Sequence, residues 1–104
     1  MIYQLNRQIL IPGKMAEYSD IFSKEWVPFY PKIGMKMAGS FHAYTGNMNE
    51  TYTLYAFDDL AAHQKVRALA PKDKDWQKIQ AKLVALQTSQ TTILLEPNPW
   101  SPMK

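Results

Sequence analysis

The apolar positions of the first third of the chain change their period at Pro12-Gly13. From Ile2 to Ile11 successive residues alternate between two faces, which predicts a strand. From Lys14 onward the pattern becomes helical. We expect this helix to end at Pro28 and Pro31, because a proline disfavours helical geometry in the residue before it. The apolar stripe that indicates the helix core comprises Met15, Tyr18, Phe22 and Trp26.

Two further strands and a turn follow in the middle of the chain. Met35 to Thr45 is predicted to be a strand, and Gly39 inside it suggests a bulge or a bend. Gly46 to Asn49 has the composition of a tight turn. Thr51 to Phe57 consists almost entirely of β-branched and aromatic residues, which is typical of a strand.

The last third of the chain predicts a broken helix and a final strand. Asp58 and Asp59 supply a helix cap, worth about 1 kcal/mol, and the helix that follows runs to about Ala70. Pro71 interrupts it, and Asp73 caps a second segment. The apolar stripe of that second segment is Trp76, Ile79, Leu83 and Leu86.

Gln87 to Glu96 is predicted to be the last strand, and residues 97–102 form an irregular tail. Because this tail contains Trp100, we expect it to dock on the body of the protein or on a partner. The order strand, helix, strand, strand, broken helix, strand is that of the ferredoxin-like fold. The sequence therefore predicts one α+β domain spanning 1–104, in which helices cover one face of a four-stranded antiparallel sheet.

The third strand indicates that both faces of this sheet need cover. Tyr52, Leu54 and Ala56 share one face, while Thr53, Tyr55 and Phe57 share the other. Helices of the same chain can cover only one of these faces. We expect the other face, which carries tyrosine and threonine, to be covered by a partner subunit, a ligand or both.

The chain resembles the NIPSNAP family of the dimeric α+β barrel group. The likeness begins with residues 2–5 and Pro12-Gly-Lys14, continues through residues 54–60, and ends with the tail at 95–102. Gly39, Gly46, Asn49, Arg67, Asp73 and Trp76 fall within it at matching spacing. This resemblance implies a homodimer in which two subunits pack their open sheet faces together and close a barrel.

Two positions depart from the family pattern. Asn6 stands where members often carry arginine, and Thr53 stands where they often carry histidine.

The fold group also includes cofactor-independent monooxygenases and haem-degrading enzymes. The haem degraders resemble this chain in the asparagine at position 6, but Val66 and Lys78 fall near the positions of their tryptophan and histidine. We therefore expect no haem and no other cofactor.

The alternation of residues along the strands indicates one candidate pocket. Gln4, Asn6 and Gln8 share a face of the first strand, which we assign to the barrel side together with Thr53 and Tyr55. His42, in the second strand, adjoins them or faces the helices, depending on the bulge at Gly39. Such a surface suits a small, mostly apolar ligand, although the same side chains could simply fill a dimer interface.

The second histidine, His63, lies one helical turn after Asp59. This spacing predicts an exposed side-chain pair. No Ser/His/Asp set, metal-ligand cluster or phosphate-binding glycine loop accompanies either histidine. The residues therefore assign no reaction, and we expect no metal.

Composition and charge exclude several further classes of chemistry and binding partner. The chain of 104 residues has a net charge of +3 and no cysteine, so disulfides and thiol chemistry are excluded. The lysines on or beside the last helix indicate a solvent-exposed helix face, because no nucleic-acid-binding motif accompanies them. No apolar run is long enough to span a membrane, and no signal peptide is evident, so we expect a cytoplasmic protein.

Three hypotheses follow from the sequence. The first is a homodimeric protein that binds a small, mostly apolar molecule in the barrel between the sheets. The second is a cofactor-independent monooxygenase of the same fold. The third is a structural or interaction module without a ligand.

Overall fold

The computed structural model describes residues 1–46 and 48–104, so Asn47 of the predicted turn lies outside the described residues. Four strands form one antiparallel sheet in the order β2-β3-β1-β4. The strands are β1 (Ile2–Leu10), β2 (Lys36–His42), β3 (Glu50–Phe57) and β4 (Gln87–Leu95). This is the predicted ferredoxin-like α+β fold, and the predicted order of strands and helices along the chain is confirmed.

The first helical region is longer than the prolines predict. Helix α1 (Met15–Ile21) passes into a π-helical turn at Phe22–Trp26, a short helix α2 (Val27–Phe29) and a 3-10 turn at Tyr30–Ile33. The α-helical part ends at Phe29, between the two prolines expected to end it, and a 3-10 turn continues through Pro31 to Ile33. The ring of a proline crowds the helical turn before it, and the wide π turn lies in that place. Pro28 itself lies in the first turn of α2, where a proline is tolerated.

The second helical region is broken as predicted. It comprises α3 (Leu60–Leu69), a 3-10 turn at Ala70–Lys72 and α4 (Lys74–Val84). Asp59 Oδ1 accepts from the Ala62 N–H at 2.8 Å, and Asp73 Oδ1 accepts from the Trp76 N–H at 3.1 Å. Both predicted caps are therefore present, and each satisfies amides that the first helical turn leaves unpaired.

The bulge predicted at Gly39 is also present. The register between β2 and β3 shifts between Met37 and Gly39. Beyond the shift Ser40 pairs with Thr53, and His42 pairs with Thr51. These pairings place His42 on the same sheet face as Thr51 and Thr53, which answers the question of its orientation.

The helices cover the sheet face that carries Tyr55 and Phe57. Both side chains belong to the core cluster, together with Leu10, Tyr18, Trp26, Phe29, Met35, Ile79, Leu83 and Leu86. The opposite face carries Tyr3, Leu5, Tyr52 and Leu54; no helix of the described residues belongs to it, and the C-terminal tail adjoins it at Tyr3 and Leu54. We call this second surface the open face.

Trp100 is 81% exposed, so it does not dock on the body of its own subunit. The end of the tail does return to the sheet, because the Tyr3 hydroxyl donates to the Lys104 carbonyl at 3.0 Å. Docking of Trp100 on a partner stays a prediction. Among the residues described, no helix is long and apolar enough to cross a membrane.

A buried hydrogen bond joins the first helical region to the sheet. Trp26 Nε1 donates to the Tyr55 hydroxyl at 2.7 Å, and both side chains are buried. Burial raises the pKa of Tyr55, so the hydroxyl stays neutral at physiological pH. The bond therefore holds the π turn against the centre of β3.

We predict that Tyr55→Phe lowers the free energy of unfolding by about 1–3 kcal/mol, because Trp26 Nε1 would stay buried without an acceptor. Urea denaturation followed by circular dichroism measures this change. The matched control is Tyr44→Phe, whose side chain is 88% exposed and whose effect should stay within about 0.5 kcal/mol. Equal effects at the two positions would contradict the structural role of this hydrogen bond.

Candidate functional site

The amide face of β1 lies beneath the helices. Gln4 pairs with Tyr55, and Asn6 pairs with Thr53, so the predicted residues do share one face. The assignment of that face to the barrel side is wrong, because Tyr55 and Phe57 on the same face form the helix-covered core. Pattern alone could not distinguish the two faces, since each carries both polar and aromatic residues.

The six predicted site residues separate into three groups. Gln4 and Asn6 line a cavity between the sheet and the α3–α4 region. His42 lines a different hollow beside α1 and is exposed. The remaining three, Gln8, Thr53 and Tyr55, are buried and line neither the cavity nor the hollow.

The cavity that contains Gln4 and Asn6 encloses about 180 Å³. We call it the helix–sheet cavity. Its apolar walls are Trp26, Met35, Phe57, Val66, Ala70 and Trp76. Cavities of this character, apolar with a few convergent polar groups, are typical of small-molecule sites.

The polar lining of the helix–sheet cavity is cationic or neutral. It consists of Gln4, Asn6, His63, Arg67, Gln80 and Gln90. No carboxylate is among the described residues that line the cavity. Arg67 also makes no ion pair with any residue that the structure describes. The cavity is therefore better suited to an anionic or neutral ligand than to a cation.

His63 is the side chain that the sequence interpretation missed. It was expected to be an exposed partner of Asp59, but only 5% of it is exposed. The Asp59 side chain is used instead to cap the backbone. The signal was available, because Ala62, Val66 and Ala70 mark the inward stripe of this region and His63 lies beside them.

A chain of side-chain hydrogen bonds fixes His63 in the cavity wall. Thr92 Oγ1 donates to Asn6 Oδ1 at 3.1 Å, and Gln4 Nε2 donates to the same oxygen at 3.0 Å. Gln4 Oε1 is therefore turned toward His63 Nε2, which lies 2.8 Å away. Because an amide oxygen only accepts, His63 Nε2 carries the hydrogen and Nδ1 is the unprotonated nitrogen.

His63 Nδ1 is buried without a hydrogen-bond partner among the residues that the structure describes. The ring packs edge-on against Phe57, with their centroids 4.9 Å apart. Burial lowers the pKa of His63 below its usual value, and the positive charge of Arg67 lowers it further. The wall of the cavity thus contains a neutral imidazole with an unpartnered lone pair, a group that accepts a proton or a hydrogen bond.

No cluster of three or more potential metal ligands occurs in residues 1–46 and 48–104. The chemistry available in the cavity is therefore that of one imidazole, one guanidinium, four carboxamides and aromatic walls. These groups can bind, orient and exchange a proton with a small molecule.

The model of the NIPSNAP family matches residues 3–102. This chain belongs to the NIPSNAP family. Among curated proteins, none matches the chain. The NIPSNAP resemblance seen in the sequence is thus confirmed over nearly the whole length.

Solved structures of NIPSNAP proteins share the fold. An uncharacterised NIPSNAP domain protein from Burkholderia xenovorans is 20% identical with a TM-score of 0.90, and the match covers 98% of this chain and 99% of that one. A NIPSNAP family protein from Agrobacterium tumefaciens is 23% identical with the same TM-score, covering 99% and 98%. At these identities the likeness shows the fold alone.

A more distant structure is that of an antibiotic biosynthesis monooxygenase. It is 15% identical to this chain with a TM-score of 0.74, and the match covers 95% of this chain and all of that protein. The fold of this NIPSNAP protein is therefore shared with an enzyme class. No residue role transfers at this level of identity.

We predict that His63 makes stability depend on pH. Its folded pKa is lowered, so below about pH 6.5 the unfolded chain takes up the proton more readily than the folded protein does. The free energy of unfolding should therefore fall as the pH decreases through this window toward the folded pKa. His63→Gln should remove that part of the pH dependence.

Urea titrations at a series of pH values between about 7.5 and 5 measure the effect around the histidine pKa. The matched control is His42→Gln, which replaces the exposed histidine and should keep the wild-type slope. A wild-type slope that survives in His63→Gln would show that His63 is not held neutral by burial.

Proposed function

We propose that this NIPSNAP protein is a homodimer whose subunits each bind a small, mostly apolar molecule in the helix–sheet cavity. The single observation that supports binding is a buried and unpartnered nitrogen, His63 Nδ1, in the wall of an otherwise mostly apolar cavity. A buried acceptor without a partner costs about 1–3 kcal/mol, which a ligand donor would recover. The site differs from the one expected between two sheets.

The binding residues in this proposal are those that reach the cavity. Gln4 and Asn6 remain from the sequence-based set, and His63 and Arg67 join them. Gln8, Thr53 and Tyr55 are buried in the same sheet face but do not line the cavity, so they have no binding role in this proposal. His42 belongs to another surface and has no part in it.

The support for a homodimer comes from the exposed apolar residues of the open face. Leu5 and Leu54 lie on it half-buried, while Ile93 is 47% and Leu95 is 41% exposed. An apolar sheet face of this kind is normally covered in solution. A second copy suits it, because a two-fold axis would oppose each apolar patch to the same patch.

A polar triad on the same face would give the proposed dimer its register. Arg7 Nη2 donates to Glu50 Oε1, and the Tyr52 hydroxyl donates to Glu50 Oε2. These bonds, that from Tyr52 first, hold the pKa of the Glu50 carboxyl below its usual value, so the carboxylate stays charged near neutral pH. Satisfied charges within an apolar face favour one alignment over others.

Oxygenase activity, the second hypothesis, gains only a shared fold from the comparisons. A purely structural module, the third, leaves the buried lone pair of His63 unexplained. A binding role therefore has more support than either. We also keep the cytoplasmic location as a proposal, in line with the absence of cysteine.

We predict that wild-type protein binds 4-nitroaniline, a flat and neutral aromatic probe whose N–H groups can donate to His63 Nδ1, and that Val66→Phe weakens this binding at least about tenfold by filling the cavity. Isothermal calorimetry measures both affinities. Val84→Phe is the matched control, because Val84 is exposed on α4 away from the cavity. Equal affinity in Val66→Phe, or no binding by the wild type, would overturn the proposed site.

We predict that native mass spectrometry of the wild type gives a dimer and that Ile93→Glu gives a monomer. The substitution places a charge within the proposed interface, where its desolvation is costly. The subunit itself should stay folded, because Ile93 is already half exposed. Gln64→Glu, on the outer face of α3, adds the same charge and should leave the dimer intact.

A further inference from the structure

The helix–sheet cavity combines three features that together define the ionisation state of its ligand. A buried imidazole offers an unprotonated nitrogen, an arginine without an ion pair among the described residues lies in the lining, and the described lining lacks any carboxylate. An acceptor beside a fixed cation is complementary to a group that arrives with a proton and remains as an anion. A hydroxyl of a weak acid has both properties.

We propose that the cavity selects a flat apolar molecule with an acidic hydroxyl, a phenol or an enol, and binds it as the oxyanion. The hydroxyl O–H bond breaks and an N–H bond forms at His63 Nδ1. The electron pair stays on the ligand oxygen, and Arg67 balances its charge. The step needs no oxidant, reductant or further reactant. This inference rests on the proposed binding function and adds the class of ligand.

The hydrogen-bond chain behind His63 prepares this proton transfer. Because Gln4 Oε1 accepts from Nε2, the imidazole is held in the tautomer whose Nδ1 lone pair is free. Gln4 is held in turn by Asn6, and Asn6 also accepts from Thr92. All three partners are neutral, so none competes with the ligand for the proton.

The charges around His63 explain why the proton moves only when a ligand binds. Gln4 faces the ring from β1 and Phe57 from β3, and neither is charged. On its own helix Arg67 is the charged neighbour that disfavours the imidazolium. In the empty cavity His63 therefore stays neutral and ready to accept. A ligand oxyanion between the two groups reverses this balance, because it attracts both cations.

Arg67 is suited to recognise the ligand as it enters. It lies one helical turn after His63 in α3, so the two side chains project from the same side of the helix. Both residues line the cavity, but Arg67 is exposed whereas His63 is buried, so a ligand that enters from solvent can meet Arg67 first. The aromatic walls between Trp26, Phe57 and Trp76 favour a flat ring over a flexible chain.

The test compares 4-nitrophenol with 4-nitroanisole, its methyl ether, which has the same ring but no acidic proton. Nitrophenol turns yellow only as the phenolate, so its absorbance reports the ionisation state of the bound probe directly. We expect wild-type protein to bind nitrophenol at least about tenfold more tightly than nitroanisole, as a hydrogen bond to a charged group contributes. We also expect the yellow form to appear at a lower pH than it does in buffer.

Two variants identify the groups responsible. His63→Gln and Arg67→Gln should each bring the affinity for nitrophenol down to that for nitroanisole measured with the same variant, and should each abolish the early appearance of the yellow form. Arg67 is exposed, so its variant stays informative even if His63→Gln is unstable. Lys65→Gln removes the same charge from α3 outside the cavity lining and should behave as the wild type.

The remaining outcomes separate this inference from the function on which it rests. If both probes bind equally and nitrophenol keeps its ordinary ionisation, the cavity binds small molecules but does not take a proton, and the inference is overturned. The same conclusion follows if Arg67→Gln retains the preference. If neither probe binds, the proposed site itself is overturned, and the inference with it.

Discussion

The burial of a polar sheet face is the constraint on which the rest of this structure depends. Gln4, Asn6, Gln8 and Thr53 lie under helices instead of in water. A buried polar group without a partner costs more free energy than a typical apolar contact contributes. Most side chains of this face therefore find partners among themselves or on the helices, whereas Gln8 Oε1 has none among the described residues. The Trp26–Tyr55 bond and the chain from Thr92 to His63 both provide such partners.

The sequence predicts most of the fold because its local signals agree with one another. The strand periods, the caps at Asp59 and Asp73 and the bulge at Gly39 are each determined by neighbouring residues. Pro28 is the exception. A proline ends a helix only if the backbone before it cannot rearrange, and here a π turn accommodates it. That rearrangement depends on packing in three dimensions, which residue spacing does not contain.

The candidate site was only partly predictable for a similar reason. Alternation along β1 and β3 correctly grouped the amides with Thr53 and Tyr55, but it could not say which side of the sheet the helices cover. His63 was assigned to the surface because its spacing from Asp59 is common on exposed helices. Its true neighbour, Gln4, is 59 residues away in the chain. A contact of that length follows from the topology and has no local signature.

The hydrogen-bond chain has a consequence for how this family can diverge. Thr92, Asn6, Gln4 and His63 come from β4, β1 and α3, yet the donor of each must match the acceptor of the next. Replacing Gln4 or His63 leaves the other without its hydrogen-bond partner beneath the helices, so a tolerated change at one position calls for a compensating change at another. Positions 4, 6, 63 and 92 should therefore vary as a set among relatives, and a relative in which position 63 is apolar should also have lost the amide at position 4.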